Sequence, residues 1–214
     1  MGGAGQGKGA LGEKEETPTV PVVPKDELFE KYLQKAITEI NDLGHEIAAA
    51  GDAPRSVVLG SGHPLADMML LKYEPKPAEL QEGVAFFGRS GQAILKSLQR
   101  LRVDPMAIYG TNCLKLAGED EAEARPYLLR ELHIVQPRLL VVMGEQALGF
   151  VNELGFPLSE RLEPTLGALQ RFTATIEALY CPDIDTSLDE QAAKTAFWKA
   201  FKLVGPWWAE QPPY

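Results

Sequence analysis

Cysteine is nearly absent. Two thiols, Cys113 and Cys181, stand among 214 residues, too few for a disulfide framework or a metal site built from cysteine alone. They read as reduced thiols in a cytoplasmic protein. Long apolar runs are missing as well. No stretch reaches the ~18 residues a bilayer span needs, so no membrane partner is expected. The N-terminal MGGAGQGKGALGEKEE lacks the apolar segment of a secretory signal. Positive charge is in deficit: the formal net charge is −9, which weighs against nucleic acid as a partner.

What remains is ordinary globular material, 45% hydrophobic and 24% charged. The charge is unevenly spread. Between residues 72 and 115 stand Lys72, Lys76, Arg89, Lys96, Arg100, Arg102 and Lys115, against the acids Glu74, Glu79, Glu82 and Asp104. A locally positive face on an acidic protein can still meet a phosphate backbone.

Residues 1–24 are rich in Gly, then in Glu, Thr, Pro and Val, and are expected to form a disordered tail. Residues 25–214 are expected to form a single domain. Asp26 can cap a helix running to about Ala50, with Leu28, Tyr32, Ile37, Ile40, Leu43 and Ile47 near helical spacing, before a break at residues 51–54. Strands are expected at 56–59, 68–71, 107–109, 138–143 and 172–179. The runs MMLL and RLLVVM are continuous enough for strands buried on both faces. Residues 74–88 read as a loop. Helices are expected at 90–101, 119–135, 146–154 and 189–204, followed by an irregular Pro/Trp-rich end over 205–214. Trp207 and Trp208 are expected to fold back onto the domain. Alternating helices and apolar strands imply a three-layer α/β/α sandwich with a mainly parallel central sheet. Ligands of such sheets bind beyond the carboxyl ends of the strands, which points to residues 72–76, 111–115, 144–146 and 180–185.

Five segments, in order, carry a resemblance. GSGHPLADMMLL resembles G-x-G-N-P-x-A-D-L-M. GVAFFGRSGQAILKSL resembles G-R-P-F-V-G-x-A-G-x-x-L. YGTNCLK resembles Y-I-T-N-x-x-K. ARPYLLRELHIVQPRLLVVM and GEQAL together resemble C-R-P-F-L-x-x-x-I-x-x-x-x-P-x-x-I-x-x-L-G-x-x-A-L. These are patterns of the uracil-DNA glycosylase superfamily, and most closely of its iron–sulfur, thermophile-type branch (family four). The resemblance covers about residues 55–204.

The resemblance implies a pocket for a base flipped out of DNA, single-stranded or duplex. Phe86 falls where the family stacks the base, worth roughly 1–3 kcal/mol. Asn112 falls where the family reads the uracil edge with one donor and one acceptor. Gly88 and Gly91 would let the loop backbone approach the ligand. Lys72, Lys76, Arg89 and Lys115 are candidates for phosphate contacts.

The cleavage motifs depart from the family. G-E-[AG]-P-G aligns on Lys72-Tyr73-Glu74-Pro75-Lys76, so the position of the catalytic carboxylate holds Tyr73. Glu74 lies one place along, where an extended chain points to the opposite side. H-P-[SA] aligns on Cys181-Pro182-Asp183, so the histidine position holds Cys181, a poor cationic donor. Tyr73 and Cys181 would then border the base, and Glu74 and Asp183 are the carboxylates left for water activation. His63 and His133 read as structural. The branch's four cluster cysteines fall near His45, Ala48, Leu116 and Ala124, so no cluster, metal or other cofactor is expected.

Three readings stay open: a monomeric glycosylase-fold protein whose base excision is lost or weakened; an active DNA glycosylase using Glu74 or Asp183; and a non-catalytic α/β domain that binds a small molecule or a protein.

Overall fold

The structure, a computed structural model, describes residue 2 and residues 25–50 and 56–212. Apart from Gly2, the tail expected over residues 1–24 lies outside the described residues, as does the break at 51–54.

Four strands form the parallel heart of the sheet: β2 (Met68–Lys72), β3 (Ile108–Asn112), β4 (Leu139–Met143) and β6 (Glu177–Cys181). Two short strands, β1 (Ser61–Gly62) and β5 (Leu169–Arg171), pair antiparallel on β3 and β6, giving the order β1-β3-β2-β4-β6-β5. Every residue of β2, β3 and β4 is buried. That is why those segments read as apolar runs rather than as alternating patterns.

Residues of opposite parity feed two cores. Met69, Leu71, Tyr109, Leu140, Val142, Ala178 and Tyr180 face α4 (Glu121–Val135) and α5 (Glu145–Asn152). Met68, Leu70, Ile108, Leu139, Val141, Met143, Leu179 and Cys181 face α3 (Arg89–Leu101), α6 (Ile184–Asp189), α7 (Gln191–Phe201) and α8 (Val204–Ala209). The sheet is thus the middle of three layers, as the alternation of elements predicts. Helix α1 (Lys25–Ala49) lies outside, with Leu43 and Ile47 packed on Leu116.

Four expectations are corrected. Residues 56–59 form no strand beyond an isolated bridge from Leu59 to Val84. The loop expected at 74–88 contains helix α2 (Pro77–Glu82), because Pro77 sits in the first turn, where its missing N–H costs nothing. The strand expected at 172–179 starts only at Glu177. Before it the N–H groups of Phe172 and Thr173 both donate to the Ile176 carbonyl, at 2.9 and 3.0 Å, closing a turn. The last helix, expected at 189–204, is broken into α7 and α8, with α6 before it, and α8 takes in part of the end expected to be irregular. There Trp207 is buried and donates to Glu177 Oε2 at 2.6 Å.

Candidate functional site

The parallel strands end side by side, and their register lines up one side chain from each. Lys72 pairs with Asn112 on one side and with Met143 on the other, and Met143 pairs with Cys181. Partners in register project to the same face. The row Asn112–Lys72–Met143–Cys181 therefore borders the second core, on the α3/α6/α7 side.

Asn112 ends this row. It is 0% exposed, and neither its amide nitrogen nor its carbonyl oxygen has a hydrogen-bond partner among the described residues. Buried polar groups are nearly always satisfied, and an unmet one costs about 1–3 kcal/mol. Its backbone, by contrast, is held firmly. Lys115 Nζ donates to the Asn112 carbonyl at 2.7 Å, to Thr111 Oγ1 at 2.5 Å and to Glu131 Oε2 at 2.5 Å. Glu131 also accepts from the Tyr109 hydroxyl at 2.7 Å. Burial, reinforced by the Glu131 charge, pushes that phenol well above its ordinary pKa, so it stays a donor. Lys115 is 1% exposed. Its expected role at phosphate is thereby corrected: it anchors the strand end that presents Asn112.

Phe86 has a left-handed backbone, φ 59°, unusual for a bulky residue. Its N–H donates to Glu79 Oε1, and the Lys76 N–H donates to Glu79 Oε2 at 2.7 Å. A Cβ at position 91 would sit 1.9 Å from the Phe86 carbonyl oxygen, and one at position 110 would sit 2.7 Å from Phe86 Cδ2. Gly91 thus makes room for the protein's own loop rather than for a ligand, and Gly110 lets the ring settle on β3. Phe86 is 8% exposed, with Lys72 Nζ over its ring at 5.5 Å from the centroid. Lys72, 0% exposed, donates to Glu79 Oε2 and to Asp185 Oδ2, each at 2.7 Å. Lys72 therefore stands inside the site, out of reach of a phosphate backbone, which corrects its expected role too.

Next to this row opens a cleft of about 420 Å³ whose lining includes Tyr73, Glu74, Lys76, Glu145, Tyr180 and Asp183. Tyr73 leans the other way, edge-on to Phe150, and its hydroxyl donates to Glu121 Oε1 at 2.7 Å. That bond, with burial and the Glu121 charge, pushes the phenol up to about 12. Glu74 pairs with Lys76 at 2.9 Å, both half exposed. Asp183 caps α6, accepting from the Thr186 N–H at 2.7 Å. Cys181 is fully buried, and burial pushes its thiol up, so it stays neutral. Lys76 and Arg89 do reach the surface, beside a second cleft of about 410 Å³ that Phe87 and Asp185 also line. Arg89 pairs there with Asp189 at 2.7 Å. His63 accepts from the Leu65 N–H at 3.2 Å, and His133 stacks on Phe156.

Sequence reasoning missed Glu79, Glu121, Glu131 and Asp185, the carboxylates that organise the site. Only Glu79 carried a signal. It lies three residues after the cap at Lys76, with proline between them, and its carboxylate reaches back to the cap N–H as a glutamate at that helix position commonly does.

The positions of the four expected cluster thiolates do not fit an iron–sulfur group. His45 is exposed, Leu116 packs on Leu43 and Ile47, and Ala124 lies in the first core. None of the four side chains is a thiolate.

Residues 59–202 match the family profile described as the Uracil DNA glycosylase superfamily. The Type-4 uracil-DNA glycosylase of Pyrobaculum aerophilum is 27% identical over 121 residues, 53% of this chain and 62% of that protein. The protein of the same name from Sulfurisphaera tokodaii is 28% identical over 105 residues, 45% of this chain and 48% of that protein. The matched regions span about half to three-fifths of these relatives' lengths.

Proposed function

Since this chain belongs to the uracil-DNA glycosylase superfamily, we propose that it is a nucleobase-binding member of that fold whose base excision is lost or weakened. The observation that carries the reading is the Asn112 amide, wholly buried and unpaired among the described residues. It has one donor group and one acceptor free, which is what the edge of a pyrimidine requires. A base held there needs no other residue to explain why the amide is left open.

The chemistry of excision is thin by comparison. Tyr73 stands where the carboxylate would be, with its proton committed to Glu121. Cys181 stands where the histidine would be and offers no positive charge to a leaving base. Missing general acid–base groups typically slow a reaction by about 10²–10⁴-fold. The cleft margin carries Glu74, Glu145 and Asp183 against Lys76, so phosphate is held weakly. DNA with a flipped base is the proposed partner. No helix of the described residues is long and apolar enough to cross a membrane. We take the protein as a cytoplasmic monomer in which residues 25–214 act as one domain.

A second reading is favoured by one observation: Glu74 and Asp183 line the same cleft, so either could orient water in an active glycosylase of DNA repair, hydrolysing the N-glycosidic bond. A uracil-containing single-stranded oligonucleotide, incubated with excess protein and then with alkali, separates the two. The first reading expects strand scission at least about 10²-fold slower than for a family member carrying both groups. Efficient scission that disappears in Glu74→Gln or Asp183→Asn would establish the second reading instead.

A further inference from the structure

We infer that Lys72 sets what the base slot admits, acting as a cationic latch across its stacking ring. The inference rests on the base-binding reading above and concerns the same site.

Three observations converge. Lys72 and Asn112 are register partners on one face, so the lysine stem rises beside the unpaired amide. The ammonium stands over the Phe86 ring, 5.5 Å from its centroid, where a stacked base would have to lie. The ammonium is also tied at 2.7 Å to a carboxylate on each side, Glu79 on α2 and Asp185 on α6. The bridge therefore joins the two helices that flank the ring. The 420 Å³ and 410 Å³ clefts share Lys76 and Thr186 as a common wall, Asp185 lines the second of them, and neither is lined by Phe86, Lys72 or Asn112. Of the bridge's members only Asp185 borders a cleft, while Lys72, Glu79 and the amide lie behind the cleft walls.

A closed slot with an unpaired amide behind it is a conformational tax on binding. If the slot is open in only a fraction of molecules, apparent affinity falls by that fraction. The two carboxylates define what releases the latch. A ligand must either displace the Lys72 stem or offer the ammonium an acceptor in their place. A pyrimidine carbonyl is such an acceptor. Thymine offers the same carbonyls, so only its 5-methyl group, which needs added room against the stem, sets it apart.

The test is fluorescence anisotropy with two labelled single-stranded oligonucleotides, identical except for one uracil or thymine. The proteins are the full chain, Lys72→Ala, Lys72→Ala/Asp185→Asn, and the latter pair with Asn112→Ala. Circular dichroism and thermal melting report folding. The double substitution leaves net charge unchanged, removes the second carboxylate that Lys72→Ala strands, and leaves Glu79 its backbone donors from Lys76 and Phe86, so it is the variant to read if Lys72→Ala alone does not fold. The expected result is about tenfold tighter binding of the uracil strand to the double variant, as for a slot open about one-tenth of the time. The thymine strand gains more, because the space the stem vacates takes its methyl group, and Asn112→Ala removes both gains. If wild type prefers uracil and the folded double variant binds it no tighter, the latch is refuted and the base-binding reading stands. An equal gain for both strands also refutes the latch. If no folded variant distinguishes uracil from thymine, the base-binding reading fails and the latch falls with it.

Discussion

Lys115 shows how far a residue's role can lie from its charge. In sequence it belongs to a basic stretch suited to phosphate. In the fold it is buried against Glu131, Thr111 and the Asn112 carbonyl. Removing one partner of such a pair leaves an uncompensated charge, so Lys115→Met is expected to lower stability by about 3–5 kcal/mol. Adding Glu131→Leu is expected to restore much of that loss. Urea denaturation of both single variants and of the double checks it, and a double-variant loss equal to the sum of the two single losses would show that the pair is not coupled. The two thiols give a second expectation. Burial pushes both Cys113 and Cys181 well above the ordinary thiol range, so both are protonated at pH 8. Iodoacetamide at that pH should leave the folded protein unmodified and label both cysteines after unfolding. Rapid labelling of the folded protein would mean that Cys181 is not the inert group described here. None of this was legible in sequence, where a lysine near a strand end or a cysteine at a motif position shows its type but not its partner.

At the scale of elements, the sequence was readable wherever one face of the pattern had one cause. MMLL and LLVVM are buried on both sides, and their strands stand where continuous apolar runs put them. The segment FTATIEAL alternates as a strand does, yet its first half is a turn. Thr173 Oγ1 accepts from the N–H groups of Thr175 and Ile176 at 3.2 and 3.0 Å. Local side-chain bonds of this kind compete with a ladder. Proline-containing stretches misled in the other direction: residues 74–88 read as a loop and 205–214 as irregular, yet Pro77 and Pro206 sit near the starts of helices α2 and α8. The loop from α2 to α3 carries the site's aromatic ring and hangs on one carboxylate. Glu79 accepts from Lys72, Lys76 and Phe86. Glu79→Gln removes that charge at constant size and is expected to cost about 1.5–3 kcal/mol. Faster hydrogen exchange at the Phe86 amide should accompany the loss. Unchanged exchange would place the loop's stability elsewhere.

Over the whole molecule, the architecture was legible because five motifs in order fix a topology, whereas the site depended on contacts across it. Asn112 and Phe86 could be named from their motifs. The Lys72–Asp185 ion bridge beside the Phe86 ring joins residues 113 positions apart and leaves no local pattern. The molecule's charge of −9 bears on the proposed DNA partner. Of the four expected phosphate contacts, Lys76 and Arg89 reach the surface, and both are shared with acids. Two contacts to a single strand give a slope of about −1.4 in log affinity against log salt. Arg89→Ala should reduce that slope by about 0.7, measured by titration between low and physiological salt. The central claim is narrower: the Asn112 amide is kept open for a base. The most direct measurement is the side-chain NH₂ resonance pair of Asn112, assigned by its loss in Asn112→Ala and followed as a uracil-containing strand is added to saturation. Selective shifts of that pair, larger than with the thymine strand, are predicted. A pair that stays put while the strand is bound would contradict it.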